Sequence, residues 1–247
     1  MGIPRAFLFI ALLVGGAAAV AMTIYNGHRE AQLLRADPDA IPGNRAMMQF
    51  AATRGAAKFR EHCAGCHAVG GNGDRLRGIP DLTDQDWLFG SGMVSEIERT
   101  VAYGIRSGNP KALNLARMPG FARAQPSPTD AKILPLSPGD IRDVIEFLIS
   151  LQRGSADAAA ASRGAQVYFG AGGCFDCHSP DGKGDPAIGA PNLADPVTLY
   201  GDGSRDALFE SIANGRQGVC PAFINRLDAA AIREVALYVY VLSHPHG

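Results

Sequence analysis

Cys63 and Cys66 stand three positions apart and His67 follows at once; Cys174, Cys177 and His178 repeat the pattern. Chance placement would not put four of five cysteines into two C-x-x-C-H strings. Two thiols at this spacing share one turn, where each can add to a vinyl group of haem. The next residue is then held beneath the iron as its proximal ligand. A redox dithiol and half of a zinc site are the other uses of such a pair. Zinc would require both pairs to converge on one metal, whereas each pair here has its own histidine. The strings therefore point to two covalently bound c-type haems and their iron.

An iron that only passes electrons needs a sixth ligand, and methionine in that place raises the potential and closes the site. Met118 is the candidate in the first half, in a Met-Pro dipeptide followed by Phe121. Met93 is a rival without a counterpart in the second half. The second half has Cys220-Pro221 followed by Phe223. The repeat assigns Met118 to the iron of His67 and Cys220 to the iron of His178. As a thiolate Cys220 would favour ferric iron and lower the potential; as a buried thiol it would be inert. A third reading leaves the iron five-coordinate. Pro80 and Pro191 each follow their histidine by the same interval, and each is placed to offer it a carbonyl. Trp87 is a candidate donor to a haem propionate, with Arg106 and Arg216 as candidate ion-pair partners. His62 has Gly173 at the matching position and reads as a surface residue.

These residues sit in a repeat. His67 and His178 differ by 111 positions. The same offset pairs Ile79-Pro80-Asp81-Leu82 with Ala190-Pro191-Asn192-Leu193, Leu88-Phe89-Gly90 with Leu199-Tyr200-Gly201, and Gly104 with Gly215. Beyond Gly104 the first copy carries extra residues around Ser107–Ala116 and a proline-rich stretch, Gln125–Pro138. Each copy opens with a helix-like segment, Ala51–His62 and Ala158–Phe169. Each closes with apolar residues at helical spacing: Ile141, Val144, Ile145, Leu148 in one and Ile232, Val235, Ala236, Val239 in the other. No segment alternates with a two-residue period, so the expected class is all-α with almost no sheet.

Residues 7–25 carry no charge over nineteen positions, enough for a membrane-spanning helix. Ala19-Val20-Ala21 also fits a signal-peptide cleavage pattern. Either way the chain is exported. The expected organisation is an anchor or signal peptide at 1–26 and a polar tether at 27–50. A first domain at 51–153, a small polar linker at 154–161 and a second domain at 162–247 follow. A net charge of −1 over 247 residues gives no reason to expect a nucleic-acid partner.

The string from Pro80 to Gly90, with those around His62–His67 and Asn214–Phe223, resembles class I cytochrome c domains. More narrowly it resembles the dihaem subunit III of cbb3-type cytochrome oxidases. The resemblance implies two tandem class I cytochrome c domains behind one N-terminal transmembrane helix. It implies a bacterial inner-membrane location with the haem domains in the periplasm. It also implies electron flow from a soluble cytochrome c, or a quinol-oxidising complex, toward oxidase core subunits and oxygen. The competing expectations are a catalytic dihaem cytochrome acting on sulfur compounds or peroxide, and a haem-based sensor.

Overall fold

The computed structural model describes residues 5–126 and 132–244. The first four positions of the expected anchor and residues 127–131 of the proline-rich stretch lie outside the described residues. Among the described residues regular structure is nearly all helical. Its strand pairing is one short ladder, Gln125–Pro126 (β1) against Lys132–Ile133 (β2).

Helix α1 runs unbroken over Arg5–Arg35, 31 residues. Among the described residues no helix is long and apolar enough to cross a membrane. Asp37 then caps a 3-10 turn over Pro38–Gly43, and Asn44 caps α2, Arg45–His62, by accepting from Met47 N–H at 3.1 Å. The segment expected to be a polar tether carries the end of α1, the 3-10 turn and the start of α2. Leu33 and Ile41 are fully buried within it. The prolines do break the helix, but apolar residues on either side bury against the core and hold the chain down.

The remaining helices are α3 (Ala64–His67), α4 (Val94–Tyr103), α5 (Pro138–Leu151), α6 (Ala158–Phe169), α7 (Phe175–His178), α8 (Arg205–Asn214) and α9 (Ala229–Ser243). Ser137 caps α5 through Asp140 in a reciprocal box, and Ser204 and Asp228 cap α8 and α9. The apolar faces read from spacing are the buried ones: Ile141, Val144, Ile145 and Leu148 in α5, and Ile232, Val235, Ala236 and Val239 in α9.

The packed units are not the two sequence copies. One core joins Leu33 and Ile41 of the preceding segment and Phe59, Val94 and Ile97 of the first copy to Ala236, Leu237 and Val239 of α9, the last helix of the second. The other joins Phe121, Ile141, Val144 and Leu148 of the first copy to Tyr168, Ile212 and Ala213 of the second. Each copy thus lends its final loop and final helix to the other's haem string. In both units the first and last helices cross at a glycine. A Cβ at Gly55 of α2 would lie 2.0 Å from Glu234 O of α9, and one at Gly164 of α6 would lie 1.9 Å from Asp143 O of α5. An aromatic pair flanks each crossing, Phe59–Tyr238 at 5.2 Å and Phe147–Tyr168 at 5.1 Å between ring centres.

The units meet across a near-symmetric seam. Gly90 N–H donates to Pro186 O at 3.0 Å, and Gly201 N–H donates to Arg75 O at 2.9 Å. The Phe89 ring lies over Gly189 and the Tyr200 ring over Gly78, so closely that a Cβ at either glycine would overlap the ring.

Candidate haem sites

Cys63 ends α2, and the chain continues straight into the single turn of α3. Cys66 N–H and His67 N–H both donate to Cys63 O, at 3.1 and 2.9 Å. Cys177 and His178 do the same to Cys174 O, at 3.3 and 2.9 Å. The residue after each histidine then takes a left-handed conformation, Ala68 at φ 63° and Ser179 at φ 64°. Neither is a glycine, so this reversal carries a conformational cost. It folds the following loop back over the ring: Gly73 N–H reaches His67 O at 3.0 Å, and Gly184 N–H reaches His178 O at 2.9 Å.

That loop delivers the proline carbonyls. His67 Nδ1 lies 3.3 Å from Pro80 O, and His178 Nδ1 lies 3.0 Å from Pro191 O. An Nδ1–H donated to a carbonyl fixes the tautomer and leaves Nε2 with its lone pair for a metal. Burial pushes both imidazoles below their usual range, although each carbonyl pulls the other way. Both rings are therefore neutral at pH 7, the ligating form.

The thiols fit thioether attachment better than either alternative. None is in a disulfide. Burial pushes Cys63 and Cys174 up to about 11, which is the wrong direction for a reactive redox dithiol. Among the described residues no three His, Cys, Asp or Glu side chains converge as a bare metal ion would require. Each turn instead presents two thiols and one oriented imidazole, the donor set for one haem.

The candidates for the sixth position pack across the repeat. Cys220 exchanges backbone hydrogen bonds with Ile105, and Phe223 N–H donates to Val101 O and Ala102 O at the end of α4, each at 3.1 Å. The Phe223 ring stands edge-on to His62. Burial, and then the proximity of Cys66, raises the Cys220 thiol to about 11, and burial followed by the proximity of Cys220 raises Cys63. Cys220 thus lies beside the first string. Met118 packs instead against the core that holds Cys174, Phe175 and Leu193, with its N–H on Arg216 O at 3.2 Å. The repeat pairs Met118 with His67 and Cys220 with His178, whereas the packing sets Cys220 beside the first string and Met118 beside the second. A repeat encodes which local structure recurs, and it is silent on which partner each final loop crosses to.

Arg106 is held by carbonyls of the crossing loops, Gly218 O at 2.5 Å and Ala116 O at 3.1 Å, and so ties those loops together. Arg216 donates to Ser211 Oγ at 3.0 Å and lies over the Tyr200 ring. Trp87 packs on the first core and lines a cavity at the seam with Arg75, Pro80, Asp84, Asp86 and Pro191. Met93, at the start of α4, is 45% exposed. Ala68 and Ser179 escaped the sequence reading because nothing in alanine or serine signals a left-handed turn.

Residues 52–152 match the family Cytochrome c, and residues 159–239 match Cytochrome C oxidase, cbb3-type, subunit III. The chain is 38% identical over 220 residues to the cbb3-type cytochrome c oxidase subunit FixP of Bradyrhizobium sp. (strain ORS 278), covering 87% of this chain and 69% of that one. It is 37% identical over 211 residues to the cbb3-type cytochrome c oxidase subunit CcoP of Cereibacter sphaeroides, covering 85% and 68%. The CcoP subunit of Rhodobacter capsulatus is 37% identical over 221 residues, covering 86% and 69%. With both C-x-x-C-H turns formed and relatives matched along most of its length, the chain belongs to the family of cbb3-type cytochrome c oxidase subunit III.

Proposed function

We propose that this chain takes electrons from a soluble cytochrome c, or from a quinol-oxidising complex, and passes them through two c-type haems to a cbb3-type oxidase core. The haems supply reversible one-electron chemistry at iron. The protein supplies two thioether anchors and an oriented histidine for each, at Cys63, Cys66 and His67 and at Cys174, Cys177 and His178. The observation that carries the reading is the doubled turn, with each histidine set on a proline carbonyl at 3.3 and 3.0 Å. Cys220 would supply the sixth ligand to the iron of His67, and Met118 to the iron of His178. The first site then has the lower potential, since a coordinating thiol is deprotonated and its charge favours ferric iron.

Attachment to the membrane is through α1. The charge-free stretch at 7–25 lies on an unbroken helix, and its described apolar side chains, among them Leu13, Val20, Ile24 and Tyr25, are exposed. A row of exposed apolar side chains needs a covering, and lipid is the covering that suits a helix. The haem units then stand in the periplasm of a bacterial inner membrane.

Detergent extraction followed by affinity purification of the chain tests the assignment. The expected eluate contains an oxidase core with oxygen-reducing activity driven by reduced cytochrome c. A chain that elutes alone, and that reduced cytochrome c fails to reduce, would overturn it.

A further inference from the structure

We infer that the end of α1 is a rigid joint that holds the first haem unit at a fixed angle to the membrane. The inference rests on the proposed membrane attachment through α1. From Asn26 to the end of α1 at Arg35 the helix continues for about 15 Å beyond the charge-free stretch. This length is tied to two other helices, α2 and α9. Glu30 pairs with Arg54 of α2. The same guanidinium donates to Glu234 of α9 at 2.5 Å, and Lys58 of α2 reaches the other Glu234 oxygen at 2.6 Å. The Glu234 side chain is fully buried. Arg233, its neighbour on α9, donates to Leu33 O at 3.0 Å and Ala36 O at 3.2 Å, two carbonyls at the C-terminal end of α1. Its Nε also reaches Glu98 of α4 at 2.5 Å. Arg29 closes the other side, donating to Ala46 O at 2.8 Å.

The chemistry of these contacts argues for positioning over simple stability. A cation on the last carbonyls of a helix satisfies acceptors that have no partner of their own and complements the helix dipole. A buried carboxylate held by two cations is costly to disturb, because removing a partner leaves a charge in a dry place. Charged pairs of this kind fix geometry at little net gain in stability over apolar packing. They tie α1 to α2, which leads directly into Cys63, and to α9, which follows Cys220 in the chain. Arg54 and Glu234 are therefore positioning residues for the first haem unit. A Cβ at Gly27 would meet nothing within 4 Å, so this glycine is not required by packing.

The test uses the full haem-loaded chain, produced without oxidase core subunits and reconstituted into lipid vesicles dried as oriented layers. Electron paramagnetic resonance is recorded against the tilt of the layers. The native chain and Gly27→Ala are expected to give a first-haem signal that depends strongly on angle. A Gly-Gly-Ser-Gly-Gly insertion after Gly27 is expected to abolish that dependence while leaving haem content and g-values unchanged. Glu234→Gln with Arg54→Gln is expected to broaden the angular distribution. A retained native chain with no angular dependence, or an insertion that changes nothing, would overturn the joint alone. Release of the chain from membranes by alkaline washing would instead overturn the membrane attachment, and the joint with it.

Discussion

Ile105 and Cys220, from opposite copies of the repeat, each donate a backbone N–H to the other's carbonyl at 2.9 Å. This two-residue exchange marks where the chain crosses between units. It places the loop that ends the second copy against the haem string of the first. Met118 and Arg216 make the matching contact on the other side.

Crossing makes the two units inseparable without unfolding. A protease site engineered into residues 154–156, ahead of α6, should yield two fragments that still co-elute in size exclusion under native conditions. They should part only in denaturant. Fragments that separate on cleavage would show that each copy packs on its own.

The glycine crossings predict a pair of selective defects. Gly55→Ala forces α2 from α9, and Gly164→Ala forces α6 from α5, because the new Cβ has no room. Overpacking of this kind costs about 1–3 kcal/mol. Haem occupancy quantified by mass should fall at the first string for Gly55→Ala and at the second for Gly164→Ala. Equal loss at both strings in either variant would contradict the division into units.

Both strings, the repeat and the buried faces of α5 and α9 were legible because they depend on residue type at fixed spacing. The crossing was not. The two copies offer interchangeable surfaces, Gly55 with Phe59 in one and Gly164 with Tyr168 in the other, so either final helix fits either first helix by pattern. One signal was available. Arg233 and Glu234 interrupt an otherwise apolar α9, and buried charges must have partners. Those partners proved to be Arg54, Lys58 and Glu98, all in the first copy. The fold of the segment at 27–50 is hidden for a related reason. Its prolines and charges suggest a tether, yet Glu30 pairs with Arg54, Asp37 and Asn44 cap the turns, and Leu33 and Ile41 are in the core.

Acid should loosen the second unit through Glu146. Arg205 donates to it through Nε and a terminal nitrogen, at 2.5 and 3.0 Å, and Asp157 N–H donates at 2.8 Å. These bonds, the Arg205 pair first, hold the carboxyl below the usual glutamate range. A depressed folded value means the stabilisation is present above the unfolded value near ~4.3 and is lost as pH falls through the folded one. In thermal melts, Glu146→Gln should melt below the native chain at pH 7, and the gap should close below about pH 4. A gap that persists unchanged into acid would show that the charge is not what matters.

The proposed sixth ligands make a prediction about which string owns which potential. Axial ligands set haem potentials over a range of about 0.8 V, and an anionic thiolate lies toward the low end. A redox titration of the native chain should therefore resolve two steps. Cys220→Met replaces the thiolate with a neutral thioether and should raise the lower step by more than about 100 mV, leaving the upper one in place. Met118→Ala should abolish the methionine-to-iron charge-transfer band and lower the upper step. The assignment to strings comes from Cys174→Ala with Cys177→Ala, which leaves one haem on His67. That species should show a low-spin thiolate signal in electron paramagnetic resonance, and adding Cys220→Met should remove it. A methionine-ligated spectrum in the single-haem species would return Met118 to the first string, and with it the uncrossed chain.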